Sequence, residues 1–216
     1  MRARLLPIAA LAAVALLATA CAEEDGQAGP APDGNGQATS TPHEDGSADA
    51  GTDLPHSGAP AVTDPLPKSV LDGDPCDALT QEQLDMALGS GTPRGSRADL
   101  DATGPGCDWN SAQTDFAAIQ IGFVTETGQG LSATYANTRP QQDVFEETDP
   151  VAGYPAVKYQ RTENNDECSM AVGISDEYSV TVHLASSVEA RERGTHPCDS
   201  TYRVAEMLVN NLKDKA

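Results

Sequence analysis

The chain has 216 residues and a formal charge of −20, from 33 acids against 13 bases. A surface this negative repels phosphate backbones and anionic headgroups alike, which argues against nucleic acid as a partner. Apolar residues make up 38% and aromatics only 4%, values compatible with a single modest core.

Arg2 and Arg4 open the chain with positive charge, residues 5–17 are apolar apart from a break at Pro7, and Ala18, Thr19 and Ala20 supply small residues before Cys21. This is the three-part layout of an export signal. Its uncharged stretch of about 16 residues falls short of the ~20 that a helix needs to cross the hydrocarbon core. Ala18, Thr19 and Ala20 also suit the cleavage site of an ordinary secreted protein, and Cys21 decides between the two. The stretch from Leu17 to Cys21 resembles the lipobox of bacterial lipoproteins, in which the cysteine takes a diacylglyceryl group and becomes the first mature residue. Most such boxes carry Leu three places before the cysteine; here Ala18 stands there and Leu17 is one place further back. The expectation is a signal peptide over 1–20 and a lipid on Cys21, holding the protein on the extracytoplasmic face of the cell membrane. A diacyl group brings two chains, the number that stable attachment requires.

Residues 22–66 contain nine acids, no Lys or Arg, and a scatter of Gly, Pro, Ser, Thr and Ala. Such a segment buries too little apolar surface to offset chain entropy, so a disordered acidic tether is expected over 21–66. As a flexible coil it spans roughly 35 to 40 Å, more with self-repulsion among the acids. Its role is spacing, and Thr39, Ser40, Thr41 and Pro42 form the kind of patch that is O-glycosylated in exported stalks. His43 and His56 fall in this segment and read as solvated residues.

From about Pro67 to Ala216 the texture becomes that of one globular domain. Thr80 followed by Gln83 makes a capping box, Leu84 and Leu88 lie one turn apart, and Gly89 ends the run as a first helix. Ala117, Ile119, Ile121 and Phe123 alternate as a half-buried strand does. Leu131 and Tyr135 predict a brief second helix stopped before Pro140. Cys168, Met170, Val172 and Ile174 alternate, Ser175, Asp176 and Glu177 turn, and Tyr178, Val180, Val182 and Leu184 alternate again, which is an antiparallel hairpin. A closing amphipathic helix has Pro197 in its first turn and Tyr202, Ala205, Val209 and Leu212 on one face. Short-turned strands with helices at both ends predict an α+β fold, an antiparallel sheet packed with N- and C-terminal helices.

Four cysteines remain beyond Cys21: Cys76, Cys107, Cys168 and Cys198. In an oxidising compartment they imply two disulfides, with three possible pairings. Cys168 shares its strand's core face with Met170 and Val172, and Cys198 lies four residues before Tyr202 on the core face of the last helix. These two can meet where helix packs on sheet, which leaves Cys76 for Cys107.

The order Asp74-Pro75-Cys76, Leu79-Thr80, Ala87-Leu88-Gly89, Cys107-Asp108-Trp109, Gly153-Tyr154-Pro155-Ala156, Cys168 and Cys198 resembles a family of small actinobacterial lipoproteins. Their shared domain is known only as domain of unknown function 3558. The resemblance spans most of residues 67–216 and implies an envelope lipoprotein with an α+β domain, similar to the PsbP and Mog1 type of sandwich. It brings no catalytic residues with it.

Several motifs invite a sharper reading. Gly128, Gly130 and Ala133 fit G-x-G-x-x-A, but Pro140 cuts the helix short and the neighbouring strands read as antiparallel rather than βαβ, the context a dinucleotide fingerprint needs. Asp99, Asp101, Thr103 and Gly104 imitate half a calcium loop, but Asn110 stands where a bidentate Glu belongs. Asp72, Asp74 and Asp77 lie near a helix start and suit its dipole. His196 and Cys198 lack the second pair that zinc requires. His183 falls on the polar face of its strand with Ser179 and Thr181; catalysis there needs a nucleophile and an orienting acid that sequence cannot place. Trp109 reads as core beside Cys107, or as one wall of a ligand pocket. These weigh toward no catalytic residue, no metal and no cofactor. The expected function is a surface-tethered binding or accessory domain for a cell-wall component, lipid or partner protein; the alternative is an envelope hydrolase whose acidic site forms only on folding. Paired carboxylates in a cleft favour the hydrolase, and an apolar groove favours binding.

Overall fold

The computed structural model describes residues 53–113, 116–163 and 165–216, all within one compact unit, Ala48–Ala216. The signal segment, Cys21, His43 and most of the expected tether lie outside the described residues.

The domain begins earlier than the composition suggests. The backbone N–H of His56 donates to Ser132 Oγ (2.9 Å), that of Val62 to Asp176 Oδ1 (2.9 Å), and that of Leu66 to the Ile174 carbonyl (2.8 Å). A boundary at Pro67 is therefore too late, and residues 53–66 are a strap on the domain rather than tether. Three long-range bonds and the partly buried Val62 and Leu66, packed on the core, outweigh a Pro- and Gly-rich composition that by itself reads as loop.

Two 3-10 turns follow, Lys68–Leu71 and Pro75–Asp77. Asp74 caps the second by accepting from the Cys76 N–H at 3.0 Å. Helix α1, Gln81–Leu88, carries the expected capping box, with Gln83 N–H on Thr80 Oγ1 and Thr80 N–H on Gln83 Oε1. Strands β1 (Ser96–Arg97), β2 (Gly106–Asn110) and β3 (Ala118–Val124) come next. Helix α2 is Gly130–Asn137, and strands β4 (Val144–Glu147), β5 (Ala156–Gln160), β6 (Glu167–Gly173) and β7 (Ser179–Ala185) complete the sheet. A short α3, Val188–Glu192, precedes α4, Pro197–Lys213.

The seven strands make one antiparallel sheet in the order β1-β2-β3-β7-β6-β5-β4. The fold is α+β. Alternation decides the faces. One face carries Cys107, Trp109, Ile119, Ile121, Phe123, Val180, Val182, Leu184, Cys168, Met170 and Val172, all buried. Helix α4 packs across it against β6 and β7, with α1 against α4. The inward face of α4 runs through Cys198, Thr201, Val204, Ala205, Leu208, Val209 and Leu212. Tyr202, expected in that stripe, sits at its edge with its hydroxyl on the Pro150 carbonyl at 2.9 Å. The disulfides are Cys76–Cys107 and Cys168–Cys198, each with Cα atoms 5.1 Å apart.

The chain must travel from β3 to the far edge before β4 begins, and α2 makes that passage over the second face. Leu131 and Tyr135 meet Val157 and Ala171 there in a smaller core, joined by Ala59 of the strap, Phe145 and Tyr159.

Candidate functional site

Helix α2 covers only part of the second face. Registered pairs place two rows side by side across the sheet. Gly106, Gly122, Thr181, Ala171 and Val157 form the first row, and Asp108, Gln120, His183, Ser169 and Tyr159 the second. The first row has little side-chain bulk over β2 and β3, so the sheet there lacks a filling layer. A cleft of about 360 Å³ results. Its floor is Gly122, Val124 and Thr181, one wall is the α2 face of Ala133, Thr134, Asn137 and Thr138, and the opposite wall is the turn through Ala98, Leu100 and Thr103. Tyr159 and Gln120 close the end nearer the polar row.

The turn wall is held tightly. Leu100 N–H donates to the Gly104 carbonyl (2.9 Å) and Gly104 N–H to the Leu100 carbonyl (2.7 Å). Gly104 has φ +130°, and a Cβ there would lie 2.3 Å from the Phe123 carbonyl oxygen, so only glycine fits. Asp99 is spent on this turn. Its carboxylate takes Arg97 Nε at 2.8 Å and the Gly106 N–H at 3.4 Å, and Arg97 first, then the Gly106 N–H, hold its pKa below the usual carboxylate range. The calcium-like run thus serves as a brace for the cleft wall. No group of three or more metal-ligating side chains stands together among the described residues.

Charge is missing from the cleft itself. None of the described residues lining it is Asp, Glu, Lys, Arg or His, although 21% of the chain is charged. Five of its polar side chains, those of Thr103, Thr134, Asn137, Thr138 and Thr181, make no hydrogen bond among the described residues. Thr134 is nonetheless only 8% exposed. Leu100, at the mouth, is 58% exposed.

The polar row supplies the nucleophile and acid that sequence could not place beside His183. Ser169 Oγ lies 2.9 Å from His183 Nδ1, and Glu167 Oε2 lies 3.6 Å from His183 Nε2. Ser169 also hydrogen-bonds the Tyr159 phenol, whose pKa burial pushes up and that bond pulls back. The arrangement resembles a Ser-His-Glu set in membership. Ser169 sits mid-strand between β5 and β7, so its backbone N–H belongs to the sheet ladder; its hydroxyl bridges the Tyr159 phenol and His183, and with Glu167 and His183 it lines a second, smaller cavity of about 210 Å³. Further along the row, Gln120 Nε2 donates to Asp108 Oδ1 at 2.8 Å. These are cross-strand bonds that order the open face. The signal in sequence was the period of two, which put Ser169 and Glu167 on one face; their meeting with His183 needed the β6–β7 register.

The other singled-out residues have structural places. Gly130 opens α2 pressed against the β6–β7 turn, where a Cβ would lie 2.6 Å from the Asp176 carbonyl oxygen, and its N–H donates to the Glu177 carbonyl. Close packing accounts for that glycine. His196 Nδ1 accepts from the Cys198 N–H at 3.2 Å and caps α4. Trp109, 1% exposed, lies in the α4-side core beside Cys107.

A family model described as a protein of unknown function, DUF3558, matches residues 16–211. The chain belongs to the DUF3558 family. The match takes in the whole described domain up to the last turn of α4. No curated protein matches the chain and no solved structure does, so the likeness to a PsbP or Mog1 sandwich gains nothing from them. No helix among the described residues is long and apolar enough to cross a membrane.

Proposed function

We propose that this DUF3558 chain is a lipoprotein of the actinobacterial type, anchored through Cys21 to the outer face of the cell membrane, whose domain is a non-enzymatic binding module. The observation that carries the binding reading is the cleft between α2 and the Ala98–Gly104 turn, lined without a single charged side chain among its described residues. A hydrolase built on acids needs its carboxylates in the cleft; here the cleft offers neutral hydrogen-bonding groups over a small-residue floor. The two disulfides support an oxidising, exported setting. A lipid on Cys21, followed by the acidic stretch up to the strap at residues 53–66, ties the domain to the membrane.

Two experiments test this. In membrane fractionation, Cys21→Ala moves the protein from the membrane to the medium, and retention in the membrane refutes the anchor. The hydrolase reading has one observation in its favour, the Ser169, His183 and Glu167 chain. A fluorophosphonate probe, which labels activated serines, leaves the full-length protein unlabelled; labelling that disappears in Ser169→Ala makes it an enzyme.

A further inference from the structure

We infer that the cleft takes a neutral glycan. This rests on the binding reading above and goes further by naming the ligand's chemistry. The lining carries no charge, and five of its polar side chains have no partner among the described residues. An anion finds no Lys or Arg among the described lining residues and meets the field of a chain of charge −20, so acidic ligands are disfavoured. A cation finds no carboxylate there. The ligand is therefore neutral.

An acyl chain is neutral too, but it would seal Thr134, Asn137, Thr138 and Thr181 from water with nothing to bond. Each hydroxyl or amide left unpaired lowers affinity roughly tenfold or more. Thr134 is 8% exposed as a residue, and its hydroxyl has no partner among the described residues. A peptide strand fits poorly for another reason. The floor strands β3 and β7 each have neighbours on both sides, so no ladder N–H or C=O remains for an added backbone. A threonine hydroxyl and an asparagine amide each both donate and accept, which matches sugar hydroxyls, likewise donors and acceptors. Val124, Ala133, Ala98 and Leu100 supply apolar surface for the C–H faces of the rings. A cleft of about 360 Å³ lies within the small-molecule range, so it takes a short segment of a longer glycan, and its open side lets the chain continue.

The test uses the full mature chain on an array of neutral α- and β-linked hexose and N-acetylhexosamine oligosaccharides, printed beside uronic-acid and phosphorylated counterparts, with palmitate binding measured in parallel. Binding to one or more neutral glycans is expected, with loss of signal on their acidic counterparts. Thr181→Val and Asn137→Ala each weaken it roughly 5- to 50-fold with an unchanged melting temperature, since neither side chain bonds to the protein. Absence of binding to every neutral glycan, or equal binding to acidic ones, overturns the inference. Palmitate binding that Thr181→Val alters would leave the module a binder while removing the glycan. Serine labelling by the fluorophosphonate probe would remove both readings.

Discussion

The double substitution Cys168→Ala with Cys198→Ala removes the cross-link between β6 and α4. The two cysteines are 30 residues apart, and the loop-entropy relation for that length gives a loss of about 3.7 kcal/mol at 25 °C. Set against a typical total of roughly 5 to 15 kcal/mol, this weakens the domain severely without abolishing it. At about 2 to 4 °C per kcal/mol for a domain of this size, the melting temperature falls by roughly 7 to 15 °C. The second disulfide is an internal control. Cys76 and Cys107 are 31 residues apart, so chain entropy predicts the same loss for Cys76→Ala with Cys107→Ala to within about a tenth of a kcal/mol. Other contacts separate the two sites: Thr201 Oγ1 donates to the Cys168 carbonyl at 3.3 Å and ties α4 to β6 without the sulfurs, whereas the 3-10 turn holding Cys76 packs at the end of the sheet. Urea unfolding of both variants and the parent, under non-reducing conditions, measures the two losses. A loss below about 1 kcal/mol in either variant, or losses that differ by more than about 1.5 kcal/mol, refutes the unfolded-state account and puts the weight on native contacts.

Thr80→Ala removes one half of the capping box on α1 and lowers stability by about 1 kcal/mol, read as a shift of the urea midpoint at unchanged slope. The Tyr135 phenol is pushed from 10.0 up to about 12, by burial first and then by its bond to Glu147. Since the folded pKa lies above the unfolded one, this contribution to stability is complete below about pH 10 and disappears as pH rises to about 12. Phenolate absorbance of the parent against Tyr135→Phe locates the transition, and ionisation near 10 contradicts the burial. Limited proteolysis of the intact chain leaves a core whose N-terminus lies before His56, because the strap is bonded at His56, Val62 and Leu66; a core starting at Pro67 would show that those bonds do not hold in solution.

Local patterns were legible wherever the physics is local. The capping box at Thr80 and Gln83 needs only three residues of spacing, and it is present in both halves. The hairpin of β6 and β7 was readable because alternation on either side of Ser175, Asp176 and Glu177 defines both strands and their core face. The same phase argument brought Cys168 to Cys198, since a period of two on a strand and of 3.6 on a helix specify which side chains face each other. Strands β4 and β5 gave no such signal. Both faces of β5 are covered, so its Ala156, Val157, Lys158, Tyr159 and Gln160 show no alternation between apolar and polar, and β4 is a short, charged edge strand. The strap escapes composition for a related reason: composition measures how much apolar surface a segment has, but three backbone hydrogen bonds to Ser132, Asp176 and Ile174 depend on where the rest of the chain is. The cleft depends on tertiary structure altogether. Gly122 and Thr181 are 59 positions apart in sequence, and only the β3–β7 register puts them side by side, while only the passage of α2 from β3 to the far edge leaves that part of the sheet uncovered. Sequence determined the elements whose contacts are near in the chain; the empty space between them is a property of the packing.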